Sequence, residues 1–597
     1  MLEGILNNSV DEASEGPQPC AFSLDQSCFI EHVRGLSLLG KSFSSQPSTI
    51  TAAALQAWFS RSFPKLLKSR PLGSLKLAKA PAVAAFGDAL SRQSLLEAAY
   101  WLSSAHAKLI QVEQRRALSM YFTPPSLAMR ALDDLATHGV RFERERFLDP
   151  ACGGAAFLVP IAIRIRAALR GRLPPKAIIA QMEASLCGMD LDATLCWLSK
   201  QLLRAVLYDE ICAAGVEPKF SIRVGNSLTD ASDLYGQADV VVCNPPYRKM
   251  SADEVAGVAG QFAGVISSQP NLYGLFVALS LRFMSERGVG VLVTPTSYLS
   301  GHSFSPLRKF LQESATIPSI GIVQEKDGVF LDVQQETALS MLRPRSSPAP
   351  QRTEVAIVSG TGQRTRIGDC ELPDGGVAWP IPRAVSDVSL LAVARGFAHR
   401  LRDYGYEARV GNYVWNRDQR TAYSSRNAAQ RFNRDAIPLL WSSDIKPGKS
   451  IHFDGAKKSR GERRFVVVKD AAHPSIIRRP CVLLQRVTSN DQPRRLVAAP
   501  VGPAFFREFG GFIGENHTIT LIPVRARPEL PPSQLAALLS CSEIDRLFRC
   551  ISGATNVSVF ELNQLPLPDP AALRQRLAQG RPVAQALSEI RRELEVP

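Results

Sequence analysis

The sequence predicts an α/β protein built on a Rossmann-like, doubly wound and mainly parallel sheet, with a helical N-terminal region and a mixed α/β C-terminal region. Three observations carry this. Short apolar runs alternate with amphipathic stretches between residues 120 and 342. Several of those runs end directly in polar, Gly- or Pro-rich turns, as strands do at the ligand-binding edge of an open sheet. Beyond them, residues 401–500 hold 20 Lys and Arg against 9 Asp and Glu, most of the chain's net charge of +15.

Taken in order, residues 1–114 show helical spacing, as in LLEAAYWLSSAHAKLI, and no recognisable chemistry. RFLDPA, LCGMDLD, FSIRVGN, DVVVCNPPY, VGVLVTPTS, SIGIVQE and TALSMLRP then read as strands of a domain over 115–345. The Pro, Ser and Arg of RPRSSPAPQRT predict a linker over 346–379. The β-branched runs RRFVVVKD, CVLLQRVT and HTITLIPV place a further domain at 380–570, and an amphipathic helix closes the chain at 571–597.

At 597 residues the chain exceeds what one core usually organises. Its 45% hydrophobic and 21% charged residues suit a folded enzyme. No apolar run approaches the roughly 18 residues of a membrane helix, and MLEGILNNSVDEASEG lacks a signal pattern. A cytoplasmic protein without membrane contact is expected. The eleven cysteines show no zinc or disulfide spacing, so no metal is indicated. The positive charge points to a polyanionic partner.

VVVCNPPY, residues 240–247, is the most informative segment. A strand runs into a stiff Asn-Pro-Pro-aromatic turn in which Pro245 and Pro246 remove two amide donors and leave carbonyls and the Asn244 amide exposed to a ligand. An exocyclic amine on a base is a poor nucleophile, because its lone pair is delocalised into the ring. Two acceptors on its protons, Asn244 Oδ1 and the Pro245 carbonyl, would draw that nitrogen toward tetrahedral geometry, and Tyr247 offers a ring for stacking. Upstream, RFLDPACGGAAFLVP gives a strand, an acid, a Gly pair and a helix start, which suits a nucleotide-like cofactor. It lacks the Lys-Ser/Thr of a phosphate loop and the three-glycine dinucleotide fingerprint. GMDLD puts Asp190 at a strand end where a carboxylate can bind ribose hydroxyls, with Asp192 as the alternative.

YFTPP (121–125), DPACGG (149–154), GMD (188–190) and NPPY (244–247), in that order, resemble the N6-adenine-specific DNA methyltransferases, gamma subtype, of restriction-modification systems. The resemblance implies an S-adenosylmethionine-dependent methyltransferase domain followed by a target-recognition domain. Tyr121 and Thr123 would stand beside the methionine end of the cofactor. Asp149 with Gly153 would lie under its amino-acid moiety, Ala151 in the same loop, and Asp190 would hold the ribose. Asn226 of RVGNSL stands where relatives carry an acid touching the cofactor adenine. Phe330 matches an aromatic that packs against the extrahelical base. His302 reads as a surface loop residue.

Double-stranded DNA is the implied partner, a cognate restriction endonuclease a further one. Candidate phosphate contacts are Arg417, Arg420, Arg426, Arg431, Lys457, Lys458, Arg460, Arg463, Arg464, Arg494 and Arg495, interleaved with Trp415, Tyr423 and Trp441. Alternatives at this point are the same chemistry on RNA guanine or protein glutamine, a modification-endonuclease fusion, and a non-catalytic DNA-binding subunit.

Overall fold

The computed structural model describes residues 25–595 except 43–44, 68–71, 268–269, 325–330, 332–334, 346–351, 432–435, 447–449, 455–462, 469, 471, 489–491 and 553–555. Among these, ten strands form one sheet: β1 (Phe147–Asp149), β2 (Leu186–Asp190), β3 (Ser221–Val224), β4 (Ala238–Cys243), β5 (Met284–Pro295), β6 (Ala315–Thr316), β7 (Ser319–Val323), β8 (Thr337–Pro344), β9 (Arg352–Val358) and β10 (Arg364–Glu371). The order is β10-β9-β7-β8-β5-β4-β1-β2-β3, with β6 beside β8. β3, β2, β1, β4 and β5 are parallel. β8 then pairs antiparallel with β5 and β7. All seven apolar runs predicted as strands are strands.

The apolar runs are continuous because both faces of the sheet are covered. Phe147, Val240, Val242, Val291 and Val293 enter the core on one face. Leu148, Val241, Cys243 and Leu292, their alternating neighbours, enter the core on the other, with the helix Leu272–Phe283.

The predicted linker is corrected. Residues 352–371 supply β9, which lies parallel to β7, and β10, which folds back on β9. Residues 346–351 lie outside the described residues, whereas Val355, Ala356 and Val358 are fully buried sheet residues.

The N-terminal helices share the core of one sheet face: Phe29, Leu55, Phe59, Phe86 and Leu102 belong to the same cluster as Leu158 and Val242. The helix Leu95–Leu109 opens with a capping box, Ser94 with Glu97. Its Ser103 Oγ lies 3.3 Å from the Gly154 carbonyl it donates to. C-terminally, one sheet runs in the order Tyr406–Val410, Thr518–Pro523, Cys481–Gln485, Ala498–Val501, and a second is built on Ala436–Leu440. The last helices, Pro570–Ala578 and Val583–Glu595, pack into the core of the first of these sheets through Leu573, Leu587 and Ile590. No helix among the described residues is long and apolar enough to cross a membrane.

A Cβ at Gly154 would stand 1.9 Å from Ser103 Oγ. Gly154→Ala is therefore expected to lower stability by about 1–3 kcal/mol through overpacking, read as a shifted denaturant midpoint. An unchanged midpoint would show that the N-terminal helix does not press on this loop.

Candidate cofactor and catalytic site

β1 sits between β2 and β4 with Phe147 opposite both Leu186 and Val240, so the turns after all three strands open at one edge. There they surround a cavity of about 300 Å³, within the range of small-molecule sites. Tyr121, Thr123, Asp149, Ala151, Gly153, Asp190, Asn226, Asn244 and Pro246 all line it. Pro245 is buried under the turn. Phe330 lies outside the described residues.

Side-chain acceptors hold the turns. Asp149 Oδ1 accepts from the Ala151 amide at 3.1 Å. Gly153 is left-handed, with φ +48°, and a Cβ there would come within 2.9 Å of the Phe122 ring. Its amide donates to Asp190 Oδ2 at 2.9 Å and its carbonyl accepts from Ser199 Oγ at 2.8 Å. Asp190 Oδ1 accepts from the Asp192 amide at 2.9 Å. Asn226 Oδ1 accepts from the Leu228 amide at 3.1 Å, so its oxygen is already shared where an acid would be expected.

Burial pushes the Asp149 carboxyl up to about 8, with Asp190 nearby adding to the rise and the Ala151 amide opposing it. Burial raises Asp190 as well. Buried carboxyls in an enclosed site favour a cationic ligand, which would offset the cost of their charge. Thr123 Oγ1 is buried and has no hydrogen-bond partner among the described residues, so a ligand atom is a group that would satisfy it. These residues fit a ligand with a cationic amino-acid end and a nucleoside end.

The turn after β4 is held from both sides. Asn244 Nδ2 donates to the Tyr121 carbonyl at 3.1 Å. The Tyr247 hydroxyl lies 2.6 Å from Asn244 Oδ1 and 2.7 Å from the Val293 carbonyl on β5. It has one proton for these two acceptors. The Tyr247 ring stands edge-on to Tyr273, centroids 6.0 Å apart.

Sequence reasoning missed two parts of the wall. Leu272 and Phe276 line the cavity at i, i+4 spacing on a helix that reads as scaffold. Opposite polar character comes from Arg248, whose Nη1 donates to Glu254 Oε2 at 2.9 Å and Nη2 to Oε1 at 2.5 Å. The Arg248 side chain holds the Glu254 carboxyl down to about 2. The capping box Ser251-x-x-Glu254 is legible as a helix start, but nothing in it signals the ion pair.

The basic segment is less of a surface than its composition suggests. Arg464 is fully buried against Asp444, at 2.9 Å. Arg495 is fully buried too and donates to Ser552 Oγ at 2.7 Å. Both leave the set of candidate phosphate contacts, because buried guanidiniums answer partners inside the fold. Arg417, Arg426 and Arg431 are exposed, as is Trp415, whereas Trp441 is core and Tyr423 half-buried. Lys457, Lys458 and Arg460 lie outside the described residues. His302 is exposed, its ring 4.8 Å from Phe560.

The type II methyltransferase M.PstI of Providencia stuartii is 24% identical over 358 residues, covering 57% of this chain and 66% of that protein. The type II methyltransferase M.BsuBI of Bacillus subtilis is 23% identical over 402 residues, covering 65% of this chain and 77% of that protein. The structure of the Type IIL restriction-modification enzyme MmeI in complex with DNA shares the fold, with a TM-score of 0.52 at 12% identity over 95% of this chain and 90% of that one. The Eco57I restriction-modification methylase family matches residues 216–330, the stretch that holds β3 to β5, Asn226 and the Asn244–Tyr247 turn.

Proposed function

We propose that the protein is a site-specific DNA methyltransferase that methylates the N6 amino group of an adenine turned out of duplex DNA. It would serve as the modification enzyme of a restriction-modification system. The observation that carries this reading is the convergence of Thr123, Asp149, Asp190 and Asn226 with the Asn244–Pro246 turn on one cavity. The relatives' names, type II methyltransferases, support it.

S-adenosylmethionine, when bound, supplies a methyl group activated by its sulfonium. Thr123 and Asp149 would hold its amino-acid end, and Asp190 its ribose. Asn226, Leu272 and Phe276 would bound its adenine. The target amine needs acceptors, and Asn244 Oδ1 with the Pro245 carbonyl provides them, keeping the nitrogen lone pair off the ring. An incoming amino group competes with the Tyr247 hydroxyl for Asn244 Oδ1, and the Val293 carbonyl is the acceptor to which that hydroxyl proton can turn. Turning the base out costs a few kcal/mol. Exposed cations such as Arg417, Arg426 and Arg431 would recover part of that through phosphate contacts, which favours duplex DNA over a protein substrate.

The test is methyl transfer from labelled S-adenosylmethionine to unmethylated duplex DNA, with the modified base identified by mass spectrometry. N6-methyladenine is expected, and Asn244→Ala should lower kcat by about 10²–10³. Label on RNA or protein alone, or on cytosine, would overturn the substrate assignment. Tyr247→Phe keeps the ring and removes the competing hydroxyl, so it should stay within about tenfold of wild type, while Tyr247→Ala loses more by removing stacking worth about 1–3 kcal/mol. Equal losses in single-turnover rates would show that the hydroxyl, not the ring, matters.

Cofactor affinity should depend on pH through Asp149. With its carboxyl at about 8, the ligand-free protein carries that group mostly protonated at neutral pH. A cationic amino-acid end binds the ionised form, so the dissociation constant should fall as pH rises from 7 toward 9. Asp149→Asn should weaken binding and flatten that dependence in calorimetric titrations; an equally steep profile in the variant would exclude Asp149 as its source.

A further inference from the structure

His106 lies on the helix Leu95–Leu109, about one turn beyond Ser103, which touches the Gly154 carbonyl. The ring is 2% exposed. Thr51 Oγ1 lies 2.9 Å from both the Pro47 carbonyl and His106 Nδ1, and when it gives its one proton to Nδ1 the ring proton sits on Nε2. This fixes the ring with Nε2 facing Asp192: among the described residues Nε2 makes no hydrogen bond, and it stands 3.6 Å from Asp192 Oδ2.

Asp192 in turn lines the cavity. Its Oδ1 caps the helix Ala193–Val206 by accepting from the Leu195 amide at 2.9 Å, which leaves Oδ2 as the oxygen toward His106. Burial raises this carboxyl, but the His106 side chain and the Leu195 amide outweigh it and hold it below the ordinary range. Asp190 differs, since each of its oxygens already takes a backbone amide, from Gly153 and from Asp192. A ribose offers two hydroxyl donors, and two neighbouring carboxylates can divide them. The helix that carries His106 thus reaches the cofactor loops at two points, Gly154 and Asp192.

We propose that His106, supplied by the N-terminal helical region, is a positioning residue of the cofactor site that holds the Asp192 carboxylate where it shares the ribose hydroxyls with Asp190. The proposal rests on the S-adenosylmethionine reading above. It gives residues 95–109 a part in ligand binding, although they carry no motif for it.

The experiment is calorimetric titration of the full-length protein with S-adenosylhomocysteine and with its 2′,3′-dideoxy analogue. For the first ligand, His106→Leu should bind about tenfold more weakly, because Asp192 loses the polar ring edge that faces its Oδ2. His106→Gln, whose amide can donate from nearly the Nε2 position, should recover most of that loss. Neither variant should change binding of the analogue, which has no hydroxyls for Asp192 to hold. A merely structural histidine would lower both ligands alike, and that result, or no loss for either, would overturn the proposal. If His106→Leu fails to melt cooperatively, Asp192→Asn and Thr51→Val allow the same comparison, and equal effects on the two ligands would again overturn it. A wild type that binds neither ligand would overturn the cofactor reading, and the proposal with it.

Discussion

β1 pairs in parallel with β2 on one side and β4 on the other, and this pairing fixes the level at which three chain reversals leave the sheet. Asp149, Asp190 and Asn244 lie far apart in sequence, yet each follows or ends a strand at that edge. β5, parallel to β4, brings the Val293 carbonyl to the Tyr247 hydroxyl there. A slip of one residue between β1 and β4 would exchange the two buried faces of β4 and send Asn244 away from the cavity. Burial on both faces resists such a slip, because Val241 and Val242 are both fully buried, in different cores. The apolar alternation that makes the strands therefore also sets the geometry of the site.

How much of this was legible depended on whether the signal was local. Most of the seven strands show in the sequence because two-sided burial demands uninterrupted apolar runs; β3, at the sheet edge, is partly exposed. The Asn244–Tyr247 turn shows because two prolines at a strand end are a local pattern. β9 and β10 did not show as sheet: β10 is half-exposed along much of its length, and the Pro-rich stretch before β9 carries the composition of a boundary. The residues read from the upstream motifs line one cavity, but His106, Leu272 and Phe276 were invisible as lining or support. Their place is set by contacts across the fold, such as the 55 positions between Thr51 and His106, and no spacing rule records those. Charge misled in the opposite direction, since Arg464 and Arg495 count toward a basic segment while lying wholly inside it.

Those interior arginines belong to a wider pattern. Arg308, also fully buried, has carbonyl partners where a carboxylate would be expected: Tyr298 at 2.8 Å, Gly301 at 2.9 Å, Val377 at 2.7 Å and Gly376 at 2.9 Å. Burial pushes its guanidinium down to about 10. Taking a cation out of water costs several kcal/mol, which only a complete set of partners offsets. What this arrangement fixes is backbone position, in two segments at once: the turn that follows β5, and residues 376–377 beyond β10.

That turn is gripped from further sides. Thr296 Oγ1 donates to Glu336 at 3.0 Å, and Glu336 accepts from Arg383 at 2.7 Å. Ser300 Oγ donates to Glu561 at 2.9 Å, and the Trp379 amide to the Leu299 carbonyl at 2.8 Å. Arg383 and Glu561 belong to the C-terminal part of the chain, while the turn begins immediately after the strand whose Val293 carbonyl meets Tyr247. The C-terminal region is therefore referenced to the turn after β5 by buried polar contacts, which tolerate little displacement because each leaves an unsatisfied group when broken. A flexible linker would leave the C-terminal region and the Asn244 turn to find each other by diffusion. Strands β9 and β10 together with this clamp remove that freedom, so a ligand engaged by the C-terminal region meets the Asn244 turn at a distance set by the fold.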